Sequence, residues 1–356
     1  MNDRLIRACR LEPVDATPVW FMRQAGRAFE GYRRLRERHG ILELAKNPEL
    51  CTEVTLMPVR ELGVDGAVLF ADIMLPLEPM GVGLRIEATV GPIIDDPIRS
   101  PADVARLGSF EPDGVSFTLE AIRLIKRELA GRAAVIGFSG APFTLACYLI
   151  EGRPSRDFAT AKAFMYREPD AWHDLMGRLS AMVVSYLNAQ ISAGADVVQV
   201  FDSWVGGLGP ADYRRFVQPH VAAIFAAIDG VPTIHFGTGT SALLRDMADA
   251  GGDVIGLDHR VALGAAWETI GYDRGVQGNL DAARVLAGWP AVEAGAVEVL
   301  QEAGGRPGHI FNLGHGVLPD TNVDFLRRLV DLVHERTATT RMVAAAGAAG
   351  PRRADA

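Results

Sequence analysis

The chain reads as an α/β protein built as a single-domain (β/α)8 (TIM) barrel with elaborated loops at its C-terminal face. Two observations predict this. Eight short apolar runs recur, each followed by a Gly/Ser/Asp-rich turn: Pro18–Met22, Asp65–Ala71, Ala134–Phe138, Asp196–Phe201, Pro232–Phe236, Asp253–Leu257, Gly275–Gly278 and His309–Leu313. Their apolar character is nearly continuous instead of alternating, as expected for parallel strands buried on both faces. Amphipathic segments lie between the runs, so the closed barrel is the first choice and a doubly wound open sheet the second. The 356 residues would admit two average domains, but barrels of this type use as much chain in one unit.

In chain order, the helical segments include Pro48–Leu62, Phe117–Ala130, Pro169–Ala193, Pro210–Ile228, Ser241–Ala250 and Val261–Ile270. The first three intervals between runs are long, and Leu77–Pro101, with its Pro/Gly punctuation, predicts an excursion near the barrel mouth. The uncharged stretch Ala133–Ile150 approaches membrane-spanning length, but Gly137, Gly140 and Pro142 break it into strand, loop and helix start. Residues 1–336 are assigned to the barrel. Residues 337–356 form a low-complexity Ala/Gly-rich tail, expected to fray, with room for a short helix up to Ala346.

Composition narrows the function. Thirty-six basic against 44 acidic side chains give a net charge of −8, which argues against a nucleic-acid binder but leaves an anionic small substrate open. The N-terminal MNDRLIRACR has no apolar core and is not read as a signal peptide. Cys9, Cys51 and Cys147 are odd in number and lack CxxC spacing, so neither disulfides nor a thiolate metal site is expected, and a reducing cytoplasm fits best. Only three lysines are present, which leaves little scope for Schiff-base chemistry.

Active sites of such barrels lie at the C-terminal ends of the strands. Arg23 and Arg27 follow the first run, four residues apart, and could face one anion, although a pair of surface arginines is the bland alternative. Arg33, Arg34, Arg36 and Arg38 read as an exposed basic helix face. Asp72 ends the second run among Phe70, Ile73 and Met74, and a carboxylate there needs a partner or a task. A helix N-cap is its other reading. Tyr148 falls on a helix near the mouth but alone would be an ordinary core tyrosine. Asp202 and Ser203 end the fourth run; Ser203 lacks a GxSxG elbow, so it is a hydrogen-bond donor or a cap and not a nucleophile. The glycines and hydroxyls of IHFGTGTS could form an anion nest or a plain cap at Thr240 or Ser241, and His235 reads as a core histidine with its hydrogen bonds met. His315, between two glycines after the eighth run, reads as a ligand-binding group. No P-loop, GxGxxG, HExxH or EF-hand run occurs. The inventory favours an anionic substrate and acid/base chemistry without a dissociable cofactor.

These segments resemble a known family. PVWFMRQAGRAFEGY and GFSGAPFTLACYLIEG are similar to the two signatures of uroporphyrinogen decarboxylases, and LFADIM, QVFDSWVG, VQGNLD and NLGHGVLPD resemble further family blocks in family order. The resemblance implies a homodimer that converts the four acetates of uroporphyrinogen III to methyls, giving coproporphyrinogen III, with no metal or organic cofactor. The charge and the broken uncharged stretch add the expectation of no nucleic-acid and no membrane partner, and the cysteines that of a cytoplasmic setting. It implies catalytic roles for Asp72 and Arg23, and substrate binding by Arg23, Arg27, Asp72, Tyr148, Ser203 and His315. Ala71 replaces a common serine, and Phe143 stands where tryptophan is frequent; neither change removes a charge. A cobalamin-linked thiol methyltransferase would need an HxC pair and a distant cysteine, but here the strand reads His235-Phe236-Gly237 and no cysteine follows Cys147. A non-catalytic porphyrin-binding barrel is the other alternative, and the intact arginines and Asp72 weigh against it.

Overall fold

Parallel strands surrounded by helices hide both faces, and the apolar runs meet that requirement. The computed structural model describes residues 2–87 and 91–339. Its strands are β1 (Gly66–Val68), β2 (Leu84–Glu87), β3 (Gly91–Ile94), β4 (Ala134–Gly140), β5 (Val197–Asp202), β6 (Thr233–Gly237), β7 (Val254–Gly256), β8 (Gly275–Leu280) and β9 (His309–Leu313). Seven of them form one parallel sheet in the order β1-β4-β5-β6-β7-β8-β9. Every residue of β4, β6, β8 and β9 is buried, as the continuous apolar runs predict.

The eighth expected strand, Pro18–Met22, is reduced to one bridging residue, and this corrects the count of eight. Val19 pairs in parallel with Phe311 of β9, and its carbonyl accepts the Asp65 N–H at 2.8 Å just before β1. The segment therefore closes the ring, but side chains replace the rest of its ladder. Asp65 Oδ2 takes the Val19 N–H at 2.8 Å, Gln24 Oε1 that of Phe21 at 3.0 Å, and Asn312 Oδ1 that of Met22 at 3.1 Å. With these donors committed to side chains, no strand can extend.

The barrel interior is partly polar. Trp20 Nε1 donates to Gln277 Oε1 at 2.9 Å, and Gln277 Nε2 donates to Gln199 Oε1 at 3.0 Å. Since β5 and β8 are not neighbours, this chain of bonds crosses the lumen. At the N-terminal end of the ring, the buried Asp65 gathers Asn2 Nδ2 (2.7 Å), Arg4 Nη1 (3.2 Å) and His334 Nε2 (2.8 Å), besides Val19. It ties both ends of the described chain to the closing segment.

Helices Pro48–Leu62 and Pro169–Ala193 match their expected spans. The first has the signals that bound it: Asn47 Oδ1 accepts from Leu50 N, Pro48 opens the first turn, and Gly63 ends it with φ 71°. Pro210–Ile228 is not one helix but two, Pro210–Phe216 and Gln218–Ala226. Pro219 cannot continue a helix from upstream, because it lacks an N–H and its ring clashes with the preceding turn. The excursion within Leu77–Pro101 contains the antiparallel pair β2–β3, tied to helix Pro142–Glu151 by Ile94 N to Gly152 O and Ile98 N to Leu149 O, both 2.9 Å. Helix Val323–Thr337 is followed by Thr339, whose N–H donates to Asp15 O at 2.8 Å. The possible helix up to Ala346 lies outside the described residues.

Candidate active site

The C-terminal mouth is built from the loops after the closing segment, β1, β4, β5, β7 and β9, and the expected residues fall on it. Trp20, Phe21 and Met22 are buried and anchor the chain that delivers Arg23, itself exposed in a left-handed conformation (φ 55°). Holding a non-glycine residue there costs about 1 kcal/mol and requires support from its surroundings. Gln24 gives that support: it is fully buried, and its Nε2 donates to Gly66 O at 2.8 Å. The glutamine of the RQAGR run is thus a clamp onto β1, a role the sequence reading did not assign.

Arg27 is also exposed. Among the described residues, neither Arg23 nor Arg27 has a carboxylate oxygen within 4.0 Å of its guanidinium. Arg33, read from sequence as one of an exposed basic face, is exposed but not idle. Its Nη1 donates to the carbonyls of Arg27 and Ala28, both at 2.8 Å, and so fixes the RQAGR loop. Burial pushes the Tyr32 phenol up while the charges of Arg36 and Arg27 pull against it. Tyr32 in turn packs edge-on against Phe70, two residues before Asp72.

Asp72 is half-buried just past β1. Its Oδ1 accepts the Met74 N–H at 2.8 Å, a turn-forming bond at the entry to the 3-10 turn Leu75–Met80. Oδ2 has no hydrogen-bond partner among the described residues. Burial raises the Asp72 pKa, opposed by the Met74 N–H and the charge of Arg23, so Arg23 and Asp72 share one field. The same burial, reinforced by Asp72, pushes the Tyr148 phenol up to about 12, so it stays a donor at neutral pH. Tyr148 packs edge-on to Trp204, with ring centroids 6.0 Å apart, and Trp204 meets Phe158 at 5.0 Å.

Ser203, half-buried after β5, has its carbonyl held by the Thr238 hydroxyl. Its neighbour Asp202 faces inward instead: it is fully buried, accepts Thr144 Oγ1 at 2.8 Å on Oδ1 and has no partner for Oδ2. Burial raises its pKa to about 7. His315 is exposed and bracketed by close packing on both sides. A Cβ on Gly314 would lie 2.3 Å from His259 N, and one on Gly316 would lie 2.5 Å from Arg23 Cδ. Glycine is therefore required on both sides of the histidine. Partial burial, then the charges of Arg23, His259 and Arg260, holds the imidazole below its ordinary pKa.

Two expectations need correction, and one cluster was missed. His235 is buried as expected, but neither ring nitrogen has a hydrogen-bond partner, and burial lowers its pKa to about 4. It packs against Phe225, and the backbone groups of Met247 and Gly251 nearby oppose the effect of burial without completing a hydrogen bond to the ring. The IHFGTGTS glycines do receive an anion, but an internal one: Gly239 N donates to Asp258 Oδ2, while the following helix, Leu244–Ala250, has no side-chain cap. Asp258 is nearly fully buried and also binds Arg260, through its N–H to Oδ1 at 2.9 Å and Nη1 to Oδ2 at 2.8 Å. The signal existed, since Asp258 directly follows an apolar run, as do Asp72 and Asp202. Among the described residues no group of three or more His, Cys, Asp or Glu could hold a metal ion.

The comparisons with known proteins bear on the whole chain. A sequence model described as "Uroporphyrinogen decarboxylase (URO-D)" matches residues 1–336. The uroporphyrinogen decarboxylase of Sorangium cellulosum is 54% identical over 337 residues, covering 94% of this chain and 96% of its own length. That of Thermus thermophilus is 52% identical over 338 residues, 94% of this chain and 98% of its own. Among solved structures, a methyltransferase from Methanosarcina mazei superposes with a TM-score of 0.78 at 22% identity, covering 95% of this chain and 99% of that one. That likeness shows the fold alone, whereas the sequence matches go further. The chain belongs to the uroporphyrinogen decarboxylase family.

Proposed function

We propose that this enzyme decarboxylates the four acetate side chains of uroporphyrinogen III to give coproporphyrinogen III, with no metal or organic cofactor. The observation that carries the reading is Asp72: one oxygen is fixed by Met74, the other is free, and Arg23 lies in its field at the barrel mouth. Loss of CO2 from a pyrrole acetate leaves an electron pair that needs a sink. Protonation of the ring at an α-carbon makes the pyrrole cationic, so the ring itself receives that pair. The resulting methylene then gains a proton and becomes a methyl, and the ring proton is lost. Each cycle consumes one proton at the side chain and releases one CO2.

Within that chemistry Asp72 accepts pyrrole N–H bonds and stabilises the cationic ring. Arg23 binds a substrate carboxylate and is placed to take part in proton transfer, and Arg27 binds another carboxylate. Tyr148, as a neutral phenol, donates to the substrate, and Ser203 and His315 orient its side chains. The four propionates remain throughout and provide constant handles while successive acetates reach Asp72. The family resemblance supports a homodimer, and three reduced, buried cysteines are consistent with a cytoplasmic setting. No helix among the described residues is long and apolar enough to cross a membrane.

The test is incubation of the purified protein with uroporphyrinogen III kept reduced under argon, followed by separation of the products by carboxylate number. Appearance of the seven- to four-carboxylate series supports the reading. Unchanged substrate from folded protein overturns it.

A further inference from the structure

We propose that Arg260, held by the buried Asp258, is a third arginine anchor that binds a peripheral carboxylate of the substrate across the barrel mouth from Asp72. The proposal rests on the reading of the substrate as a polycarboxylated tetrapyrrole. With Val19 closing the ring, the strands occupy eight positions, and β7 lies four places round from β1. Arg260, just past β7, therefore stands opposite Asp72. A macrocycle centred on Asp72 carries its carboxylates outward, toward the far rim.

The arginine is built to receive an anion. Asp258 is 2% exposed, with Oδ1 bonded to the Arg260 N–H and Oδ2 shared between Gly239 N and Arg260 Nη1. Those bonds fix the guanidinium on one edge, with Nη1 3.7 Å from the Cβ position of Gly239. Nη2 and Nε have no hydrogen-bond partner among the described residues, and the side chain is 58% exposed. An arginine already ordered by a carboxylate loses less rotamer freedom when it binds a second one. The surroundings support the same use. Gly314 packs on the His259 backbone and Gly316 on the Arg23 stem, so Arg23, His315 and the His259–Arg260 loop form one continuous wall. Asp258 is a positioning residue here, because its bonds to the Arg260 N–H and Nη1 hold one edge of the guanidinium and leave Nη2 and Nε without a partner among the described residues.

The competing role is local: Arg260 could serve only to neutralise Asp258. A double variant separates the two. Binding of reduced uroporphyrinogen III is measured by equilibrium ultrafiltration under argon, with turnover followed in the same preparations and folding checked by circular dichroism. Arg260→Gln is expected to weaken binding about tenfold, the usual loss for one charge-assisted bond, with Arg260→Lys between it and the parent. The effect should fall on KM, with kcat within about twofold. Asp258→Asn combined with Arg260→Gln removes both charges together and should bind as weakly as Arg260→Gln alone. Parental affinity in Arg260→Gln, or its recovery in the double variant, overturns the anchor. If the parent binds without forming product, the decarboxylase reading falls, while weaker binding by Arg260→Gln still upholds the anchor. A parent that neither binds nor reacts overturns both.

Discussion

Replacing Asp72 by asparagine isolates charge from shape. Asparagine keeps a carbonyl oxygen able to accept the Met74 N–H, so the turn after β1 survives, but nothing negative remains to face a cationic ring. A pyrrole N–H bonded to the free oxygen brings the ring cation to about 4 Å, and at an effective dielectric near 20 the attraction is about 4 kcal/mol. If that attraction is realised only as the ring becomes cationic, its loss slows turnover about a thousandfold. Glutamate keeps the charge and moves it by one methylene, so Asp72→Glu should retain a measurable fraction. Stability should move the other way. Burial raises the folded-state pKa of Asp72 above its unfolded value, so its contribution is present at low pH and lost as pH rises through the folded pKa. At neutral pH the ionised carboxylate is a burden, and Asp72→Asn should melt at or above the parent temperature. The assay is anaerobic turnover with product separation, alongside thermal melts. If both variants fold and Asn turns over as fast as Glu, the carboxylate acts only as an acceptor and the cation is stabilised elsewhere.

The remaining expectations test the mouth and the core separately. Arg27→Lys should raise KM severalfold despite keeping the charge, because an ammonium cannot make the bidentate contact of a guanidinium; an unchanged KM makes Arg27 a purely structural residue. His315→Ala should weaken affinity more modestly, as measured by KM for uroporphyrinogen. Activity should survive exhaustive chelation, and a preparation that recovers only with added zinc contradicts the proposed mechanism. Asp202, with its pKa raised from 3.8 to about 7 by burial, contributes stability at low pH that is lost as pH rises between those values. Melts of Asp202→Asn against the parent should therefore show the variant gaining relative stability from about pH 4 to 7, and parallel curves refute a buried, protonating Asp202.

The barrel was legible because its strands have no exposed face. Continuous apolar runs located all seven strands of the sheet, and two long helices were found residue for residue because proline opens each and glycine follows each. The closing segment was over-read for a physical reason. Pro18–Met22 is apolar and largely buried like a strand, but the N–H groups of Val19, Phe21 and Met22 go to Asp65, Gln24 and Asn312 side chains, and no local pattern reports a partner 46 or 290 residues away. The RQAGR loop shows the same limit. Its arginines stood out as charges beside a buried run, whereas Gln24 and Arg33, which hold the loop in shape, resemble ordinary surface residues until their carbonyl partners are known.

Four aspartates at strand ends show what sequence leaves undivided. Asp65, Asp72, Asp202 and Asp258 each adjoin an apolar run, and composition treats them alike. Partners sort them. Asp65, at the N-terminal end of β1, is met by Asn2, Arg4, Val19 and His334; burial alone would raise its pKa, but these bonds hold it low, and it serves the closure of the ring. Asp202 has one hydroxyl partner in a fully buried site, so it is shifted toward the neutral acid and is unsuited to meeting a cation. Asp258 is buried but committed on both oxygens, and its charge is spent on Arg260 and Gly239. Asp72, like Asp202, has one fixed oxygen and one free oxygen at the C-terminal end of a strand, but it is only half-buried where Asp202 is sealed in, so its free oxygen can meet a ligand. An anion kept in shape but left unneutralised is what stabilising a transient cation requires, since a fully paired carboxylate has little attraction left to offer. On the proposed reading the chemistry therefore falls to the aspartate whose free oxygen opens on the mouth, while Asp65 closes the far end of the ring and Asp258 holds Arg260.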